Sequence, residues 1–313
     1  MFRRKRLLAK KITPANNSIS IPRDGVIENV ILDCKLVVSN AGAAAWNGTY
    51  EDILKALEVI TLMSNGSQSH WNVNGVDVAI MNYYDYAGKT VNPDDAVSVG
   101  AGASATFYIQ LKLYGPIFAL FKESLELRVT FNTNIATDVT LDEANTEIEV
   151  TLDEKIYESY EELYAEYGEN LDYAYEPKVR ALTTSIEANT ELSDAIELPV
   201  GNVLLNRGFI VASTGGSRSN NVIDKFAITK VAGSAETLYV AKFASSQELD
   251  KHQYALDSAL VGVTVIDFAN EMEAPIRGWM FSKGDIVLQT KNDSAGNLRY
   301  ISEEFVVVNT EVW

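Results

Sequence analysis

The sequence is poor in the residues on which most catalytic sites and cross-links depend. It has one cysteine and two histidines among 313 residues. A single cysteine excludes an intrachain disulfide, and the apolar run VILDCKLVV predicts that Cys34 is a buried structural thiol. His70 and His252 lie in different halves and in no metal-ligand spacing. We expect both to be surface residues, His70 in a loop and His252 on the exposed side of a short helix.

Catalytic motifs and long apolar runs are also missing. There is no Walker loop and no dinucleotide glycine fingerprint in a strand–helix context. A nucleophile–histidine–acid arrangement would need one of the two histidines. We therefore predict no enzymatic activity and no cofactor, leaving open calcium at loops such as Asp94-Asp95 or at subunit contacts. No apolar run approaches the ~18 residues of a membrane span, and the short run after the first cations is too brief for a secretory signal, so we expect cytoplasmic synthesis.

Positive charge is scarce in the chain as a whole, but it is concentrated at the N-terminus. Lys and Arg number 26 against 43 Asp and Glu, which gives a net charge of −17. Six cations lie in the first eleven residues: Arg3, Arg4, Lys5, Arg6, Lys10 and Lys11. Without them the rest of the chain carries about −23 (−17 minus 6). A basic arm on an acidic body predicts contact with a polyanion, either phospholipid head groups or nucleic acid. The alternative is an unstructured, solubilising terminus.

Several segments of the first half recur in the same order in the second half. Three pairs match: ISIPRDGVIENVIL (19–32) with IELPVGNVLLNRGFIV (196–211), DILKALEVITLMSNGS (52–67) with VIDKFAITKVAGS (222–234), and PIFALFKESLELRVTFN (116–132) with PIRGWMFSKGDIVLQTKN (275–292). The first pair shares a proline, a nearby glycine and a long apolar strand. The second pair is a strand closed by a Gly-Ser turn, and the third is a strand entered from a proline. Such ordered repetition predicts one fold present twice.

Each half combines short strands, separated by turn signals, with one helical segment. Asn74 predicts the start of a helix over 75–86, and Ser245 followed by Glu248 predicts a capping box and a helix over 245–256. This pattern, with many Tyr, Phe, Val and Ile, favours an all-β fold of two tandem eight-stranded antiparallel jelly rolls. The predicted divisions are a basic arm at 1–17, jelly rolls at 18–155 and 180–313, and a linker at 156–179.

The predicted linker is acidic and rich in tyrosine. Four residues step by four, three and four positions and would form one apolar stripe on a helix: Ile156, Tyr160, Leu163 and Tyr167. One interpretation is a linker helix that packs this stripe on a domain and leaves its acids in water. The other is a docking face for a neighbouring subunit.

Two consecutive jelly rolls, each with an inserted helix, a basic arm and no catalytic residues, resemble a known family. This family is the double jelly-roll major capsid proteins of tailless icosahedral viruses with an internal membrane, bacteriophages among them. The local resemblance rests on IPRDGVIENVIL with ELPVGNVLLNRGFI and on LKALEVITLMSNG with DKFAITKVAG. In pattern it covers residues 18–310.

The resemblance implies a homotrimer whose six jelly rolls form a pseudo-hexagonal tile in a virion shell. The partners it implies are other copies of the chain, the lipids of the internal membrane, and minor capsid or vertex proteins. It implies synthesis in the host cytoplasm, no small-molecule substrate, and a membrane- or genome-facing role for the basic arm. The repeat would then exist so that three subunits present six similar edges.

Two other functions remain open from the sequence. A tandem β-sandwich of carbohydrate-binding or adhesin type would need a groove of exposed aromatic residues, for which the candidates are Trp46, Trp71, Trp279 and Trp313. The basic arm favours the capsid protein over this alternative. An enzyme on a jelly-roll scaffold is disfavoured by the scarcity of histidine and of metal-ligand clusters.

Overall fold

The structure is a computed structural model that describes residues 1–168, 175–201, 203–231, 235–269 and 286–307. The chain divides into two compact units, Met1–Pro177 together with Val307, and Lys178–Val306. Both units are built mainly of antiparallel strands. The segments predicted as an arm and as most of a linker therefore belong to the first unit. No helix in the described ranges is long and apolar enough to cross a bilayer.

The first unit contains short and long strands with three short helices between them. Its strands are β1 (Phe2–Leu7), β2 (Ser18–Ser20), β3 (Val26–Asn40), β4 (Trp46–Thr49), β5 (Leu57–Ser64), β6 (Gln68–Val73), β7 (Ala96–Val99), β8 (Ser104–Phe118), β9 (Leu125–Phe131), β10 (Asn134–Ala136), β11 (Val139–Leu141) and β12 (Glu147–Ile156). Its helices are α1 (Tyr50–Leu54), α2 (Gly75–Asp85) and α3 (Tyr160–Tyr167), and a 3-10 turn spans Ala119–Phe121.

The strands of the first unit form two main sheets and a small ribbon. One sheet has the order β1-β12-β3-β11-β10, with β8 also paired to β3. The other contains β6-β5-β9-β2, and β4 pairs with β7. Alternation explains the packing of β9, whose Leu125, Leu127 and Val129 are buried while Arg128 and Thr130 are exposed. Side chains that alternate in this way place an apolar face on the core between sheets.

The first predicted helix is confirmed almost residue for residue. The side chain of Asn74 accepts a hydrogen bond from the Asp77 amide at 2.8 Å, and the Asp77 carboxylate accepts one from the Asn74 amide at 3.0 Å. These reciprocal bonds satisfy amides at the start of α2 that have no partner within the helix. Every residue from Gly75 to Tyr84 is buried. Such burial on all sides marks a helix enclosed by its domain.

The second unit repeats the plan of two sheets and, in its described residues, has one helix. Its strands are β13 (Tyr175–Ile186, which starts in the first unit), β14 (Ser193–Glu197), β15 (Val203–Thr214), β16 (Ser217–Arg218), β17 (Ile223–Lys230), β18 (Glu236–Lys242), β19 (Val263–Asp267), β20 (Ile286–Asn292) and β21 (Gly296–Val307). One sheet has the order β14-β20-β17-β18, and in the other β15 pairs with β16, β19 and β21. The core between them contains Phe226, Phe243, Phe268 and Tyr300.

The second helix, α4, spans Phe243–Gln253 rather than 245–256. Lys242, not Ser245, is the residue that precedes its first turn, so the predicted capping box is wrong. The amide of Gln247 explains the position of the helix, because it donates to the carbonyl oxygens of Leu260 and Val263 at 3.0 and 2.9 Å. These buried tertiary hydrogen bonds override the local capping signal.

The paired segments of the sequence occupy equivalent places in the two units. The first pair gives the long strands β3 and β15. The second and third pairs give strands that are hydrogen-bonded neighbours in each unit, β5 with β9 and β17 with β20. In one detail the prediction differs, since residues 52–54 end α1 instead of starting a strand. Pro275 and the Gly233-Ser234 turn lie outside the described residues.

Candidate functional site

The basic N-terminal segment forms an edge strand rather than a separate arm. β1 runs antiparallel to β12, with Arg4 opposite Glu154 and Arg6 opposite Leu152. After the strand, Ile12 is completely buried and bridges to Ile148. The segment is therefore part of the first unit, and its deletion would remove both a strand and a core side chain.

Strand alternation divides the cations of β1 between two faces. Arg4 and Arg6 point toward a buried acid: Arg4 donates to Glu154 at 3.0 Å, and both arginines donate to Asp24, at 3.0 and 2.6 Å. Glu154 is fully buried, so it depends on these guanidinium groups for compensation. The hydrogen bond from Arg4 lowers the pKa of the Asp24 carboxyl. Arg4 and Arg6 thus stabilise the unit.

The remaining cations of the segment differ in their contacts. Lys11 is held by Glu149 at 2.7 Å and Glu147 at 3.1 Å, and the hydrogen bond to Glu149 is the main cause of its raised pKa. Arg3, Lys5 and Lys10 are exposed and form no ion pair within 4 Å among the described residues. These three are the cations that a polyanion could reach.

Aromatic and apolar side chains are exposed at the same end of the first unit. Met1 and Phe2 are 50% and 48% exposed, and the N-terminal ammonium pairs with Glu162 on α3. On the same helix Tyr160 and Tyr164 stack with their ring centroids 6.2 Å apart, and both are exposed. The end of the sheet where β1 begins therefore combines cations, apolar groups and phenol rings.

The predicted helical stripe of the linker is only partly correct. Leu163 and Tyr167 are buried against Val26, Phe118 and Phe121, which confirms that α3 packs on a domain. Ile156, however, ends β12, and Tyr160 lies in the solvent. Ile156 is not part of the stripe because the helix begins only at Tyr160, after an N-cap at Ser159, and the buried face of this short helix is limited to Leu163 and Tyr167.

One histidine is buried in a polar cluster, contrary to the expectation of a surface loop. His70 lies in β6 and is 0% exposed. Its Nε2 is 2.9 Å from the Ser64 hydroxyl, and its Nδ1 is 3.8 Å from the Glu176 carboxylate. Glu176 also accepts from Lys122 Nζ at 2.7 Å and from the Phe118 amide at 2.8 Å. We refer to Ser64, His70, Lys122 and Glu176 as the buried cluster.

The buried cluster places a serine, a histidine and an acid in the order of a nucleophilic triad. Ser64, His70 and Glu176 are each 0% exposed, so no substrate carbonyl could reach the hydroxyl. Burial lowers the pKa of His70, and although Glu176 opposes this effect, the imidazole is favoured in its neutral form. The buried cluster therefore consists of the Lys122–Glu176 ion pair with the hydrogen-bonded Ser64 and His70 beside it.

The other residues singled out in the sequence lie in the core, on the surface of a helix or in a turn. Cys34 is buried, as predicted, and burial raises the pKa of its thiol. His252 is exposed on α4, also as predicted. Asp94 and Asp95 lie in a turn closed by Asn92, whose amide donates to Asp95 at 3.1 Å. Within the described part of the chain, no group of three or more His, Cys, Asp or Glu side chains could hold a metal ion.

The tryptophans offer no binding groove in the described residues. Trp71 is fully buried and packs edge-on against Tyr114, with its ring nitrogen donating to the Tyr114 carbonyl oxygen at 3.3 Å. Trp46 is half-buried in β4. Trp279 and Trp313 lie outside the described residues. A carbohydrate groove built on Trp71 is therefore excluded, because its ring is part of the core.

Comparisons with known proteins identify the fold. No family model and no curated protein matches the sequence. Among solved structures, the major capsid protein of Sulfolobus turreted icosahedral virus superposes with a TM-score of 0.86 at 18% identity, over 98% of this chain and 97% of that one. The major capsid protein P2 of bacteriophage PM2 gives a TM-score of 0.63 at 12% identity, covering 99% of each chain. The chain therefore has the fold of the double jelly-roll major capsid proteins.

Proposed function

We propose that the chain is the major capsid protein of an icosahedral virus and forms homotrimers that tile its shell. The observation that carries this proposal is the superposition on a viral major capsid protein over nearly the full length of both chains. Three copies would present six similar units, so the duplicated fold supplies a pseudo-hexagonal tile. A net charge of −17 also favours solubility before assembly.

The oligomeric state is the first test of this proposal. We expect size-exclusion chromatography with light scattering to give a mass of three times 34.4 kDa. Electron microscopy of concentrated protein should show closed or sheet-like arrays of the trimers. A monomer at all concentrations would contradict the proposal and favour a binding module.

We further propose that the end of the first unit where β1 begins faces an internal membrane. Arg3 and Lys5 supply exposed cations at this end, and Phe2 supplies an apolar group there. Lys10 lies beyond the other end of β1, between residues that bond to Val150 and Ile148, so it is not part of this surface. A cation near an anionic bilayer contributes on the order of 1 kcal/mol, and aromatic rings are favoured at the bilayer surface. One chain binds weakly, but many copies on a closed shell bind together.

Substitution tests the lipid contact better than deletion, since deletion would remove β1 and Ile12. We expect R3Q/K5Q to weaken flotation with anionic liposomes by roughly 30-fold per chain, because two cations contribute about 2 kcal/mol. The thermal stability should be unchanged, as these residues hold no ion pair among the described residues. The matched control is K89Q/R128Q, which also brings the net charge to −19 (−17 minus 2) and should float like the wild type.

Two results would contradict the lipid contact. One is equal flotation of the two double variants, which would show that only net charge matters. The other is that the wild-type protein does not bind liposomes but binds duplex DNA through Arg3 and Lys5. In that case β1 would contact the genome and not a membrane. A separate variant, R4Q/R6Q, should instead lower the melting temperature, because Glu154 would be left buried without compensation.

A further inference from the structure

A tyrosine stands exposed in the middle of a long strand of the first unit. Tyr108 is 76% exposed, the largest value among the exposed apolar and aromatic side chains of the described chain. It lies on the outward side of β8, opposite Lys35 of β3, while its neighbours Phe107 and Ile109 are buried. A large ring with so little contact within its own chain adds little to folding and is available to a partner.

Hollows lie on both sides of this ring. One, of about 330 Å³, is lined by Tyr108 together with Asp33, Lys35, Gln110, Glu147 and Glu149. The other, of about 730 Å³, lies between β8 and the loop after α2 and is lined by Tyr108, Tyr50, Tyr86 and Lys112 among others. At about 30 Å³ per water, the smaller hollow alone has the volume of roughly ten waters. It can therefore accommodate a tyrosine side chain.

The surface around the smaller hollow is close to balanced in charge, with two lysines against three carboxylates, although the whole chain carries −17. Lys11 binds Glu147 and Glu149, Lys35 lies 4.0 Å from Glu147, and Gln110 donates to Asp33 at 2.7 Å. Most of an acidic surface repels a second copy of itself. A patch on which lysines alternate with carboxylates can meet the same patch of another copy with opposite charges in register.

We propose that this face is a contact between two copies of the chain, in which each Tyr108 inserts into the smaller hollow of the other. A contact of one patch with itself about a twofold axis is self-complementary, so one projection beside one hollow satisfies both copies. The phenol hydroxyl would donate to Glu149 or Glu147, and the ring would lie near the Lys35 ammonium. The inference rests on the proposed capsid function and assigns this face to contacts between trimers.

The position of Tyr108 separates this contact from the proposed lipid contact. In the sheet, Phe2 is opposite Ile156 of β12, and Val26, at the start of β3, is opposite Phe118 of β8. Tyr108 is ten residues from Phe118 along β8, roughly 30 Å at about 3.4 Å per residue. The membrane could therefore meet one end of the sheet while a neighbouring trimer meets its flank.

The test follows association beyond the trimer by sedimentation velocity over a range of protein concentrations. We expect Y108E to remain trimeric at concentrations at least tenfold above those at which wild-type trimers associate, since a buried carboxylate would face Glu147 and Glu149. Y108F should keep most of the association, because the ring supplies most of the contact. Circular dichroism and the melting temperature of both variants should match the wild type, because Tyr108 is exposed in the single chain.

A second exposed tyrosine provides the control. Y160E introduces the same charge on α3, and we expect it to associate like the wild type. Equal association of Y108E and the wild type, or equal loss in Y108E and Y160E, would overturn the contact while leaving the capsid function standing. A wild-type chain that never passes beyond the monomer would overturn both.

Discussion

Replacing Lys122 by methionine is expected to lower the free energy of unfolding of the first unit by about 3 to 5 kcal/mol. The Lys122 ammonium is buried and lies 2.7 Å from the Glu176 carboxylate, which is itself 0% exposed. Methionine fills the space of the alkyl chain but removes the charge. Glu176 would then keep the Phe118 amide as a donor, but no cation in direct contact.

The loss should be recovered in large part when the acid is neutralised as well. In K122M/E176Q the amide oxygen can still accept from the Phe118 amide, and no uncompensated charge remains. Replacing both members of a buried pair is commonly close to neutral, whereas removing one is not. The coupling between the two positions would be read from a double-mutant cycle, with urea denaturation followed by tryptophan fluorescence.

An exposed ion pair serves as the control for the same chemical change. Lys251 lies 3.0 Å from Glu248 on α4, where both side chains reach solvent. We expect K251M to change stability by less than about 1 kcal/mol, as is usual for surface pairs. A similar small effect for K122M would show that the Lys122–Glu176 pair contributes nothing through its burial.

The buried cluster also shows where sequence reasoning fails. Ser64 and His70 come from the β5–β6 hairpin, Lys122 follows the 3-10 turn, and Glu176 starts β13. The polar segment SQSHWN predicts a loop, because Ser and Asn are common in turns. Its burial depends on partners about 50 and 100 residues away in the chain, which local periodicity cannot detect.

The prediction that the basic N-terminal segment is a separate arm was wrong for a related reason. FRRKRL contains four cations in six residues, and such a run suggests a solvated tail. The segment nevertheless alternates as a β-strand does, because Arg4 and Arg6 both lie on the side that meets Asp24 and Glu154. By contrast, the duplicated fold and α2 could be predicted, because apolar alternation, turn residues and the Asn74 cap act over a few residues. The architecture could therefore be predicted from these local patterns, whereas the pairing of charges between distant strands could not.

Acidification below pH 6.5 is expected to destabilise the first unit through His70. Burial lowers the pKa of His70 below its ordinary value of 6.5, with Lys122 acting in the same direction and Glu176 against it. Below pH 6.5 the unfolded chain binds a proton at this position that the folded chain does not bind. Stability is therefore fully present above that pH and is lost as the pH falls, at up to about 1.4 kcal/mol per pH unit.

The carboxyl groups act in a different pH range and can be separated from this effect. Asp24 and Asp52 have pKa values below 3.8 in the folded chain, so their contribution is lost only at lower pH. We expect H70Q to flatten the dependence of the free energy of unfolding on pH below 6.5, where the wild type loses stability. H252Q should keep the wild-type dependence, since His252 is exposed. His70 is the histidine that the fold buries, so its removal should change the slope of the free energy of unfolding against pH. An unchanged slope in H70Q would show that the acid sensitivity does not arise from His70.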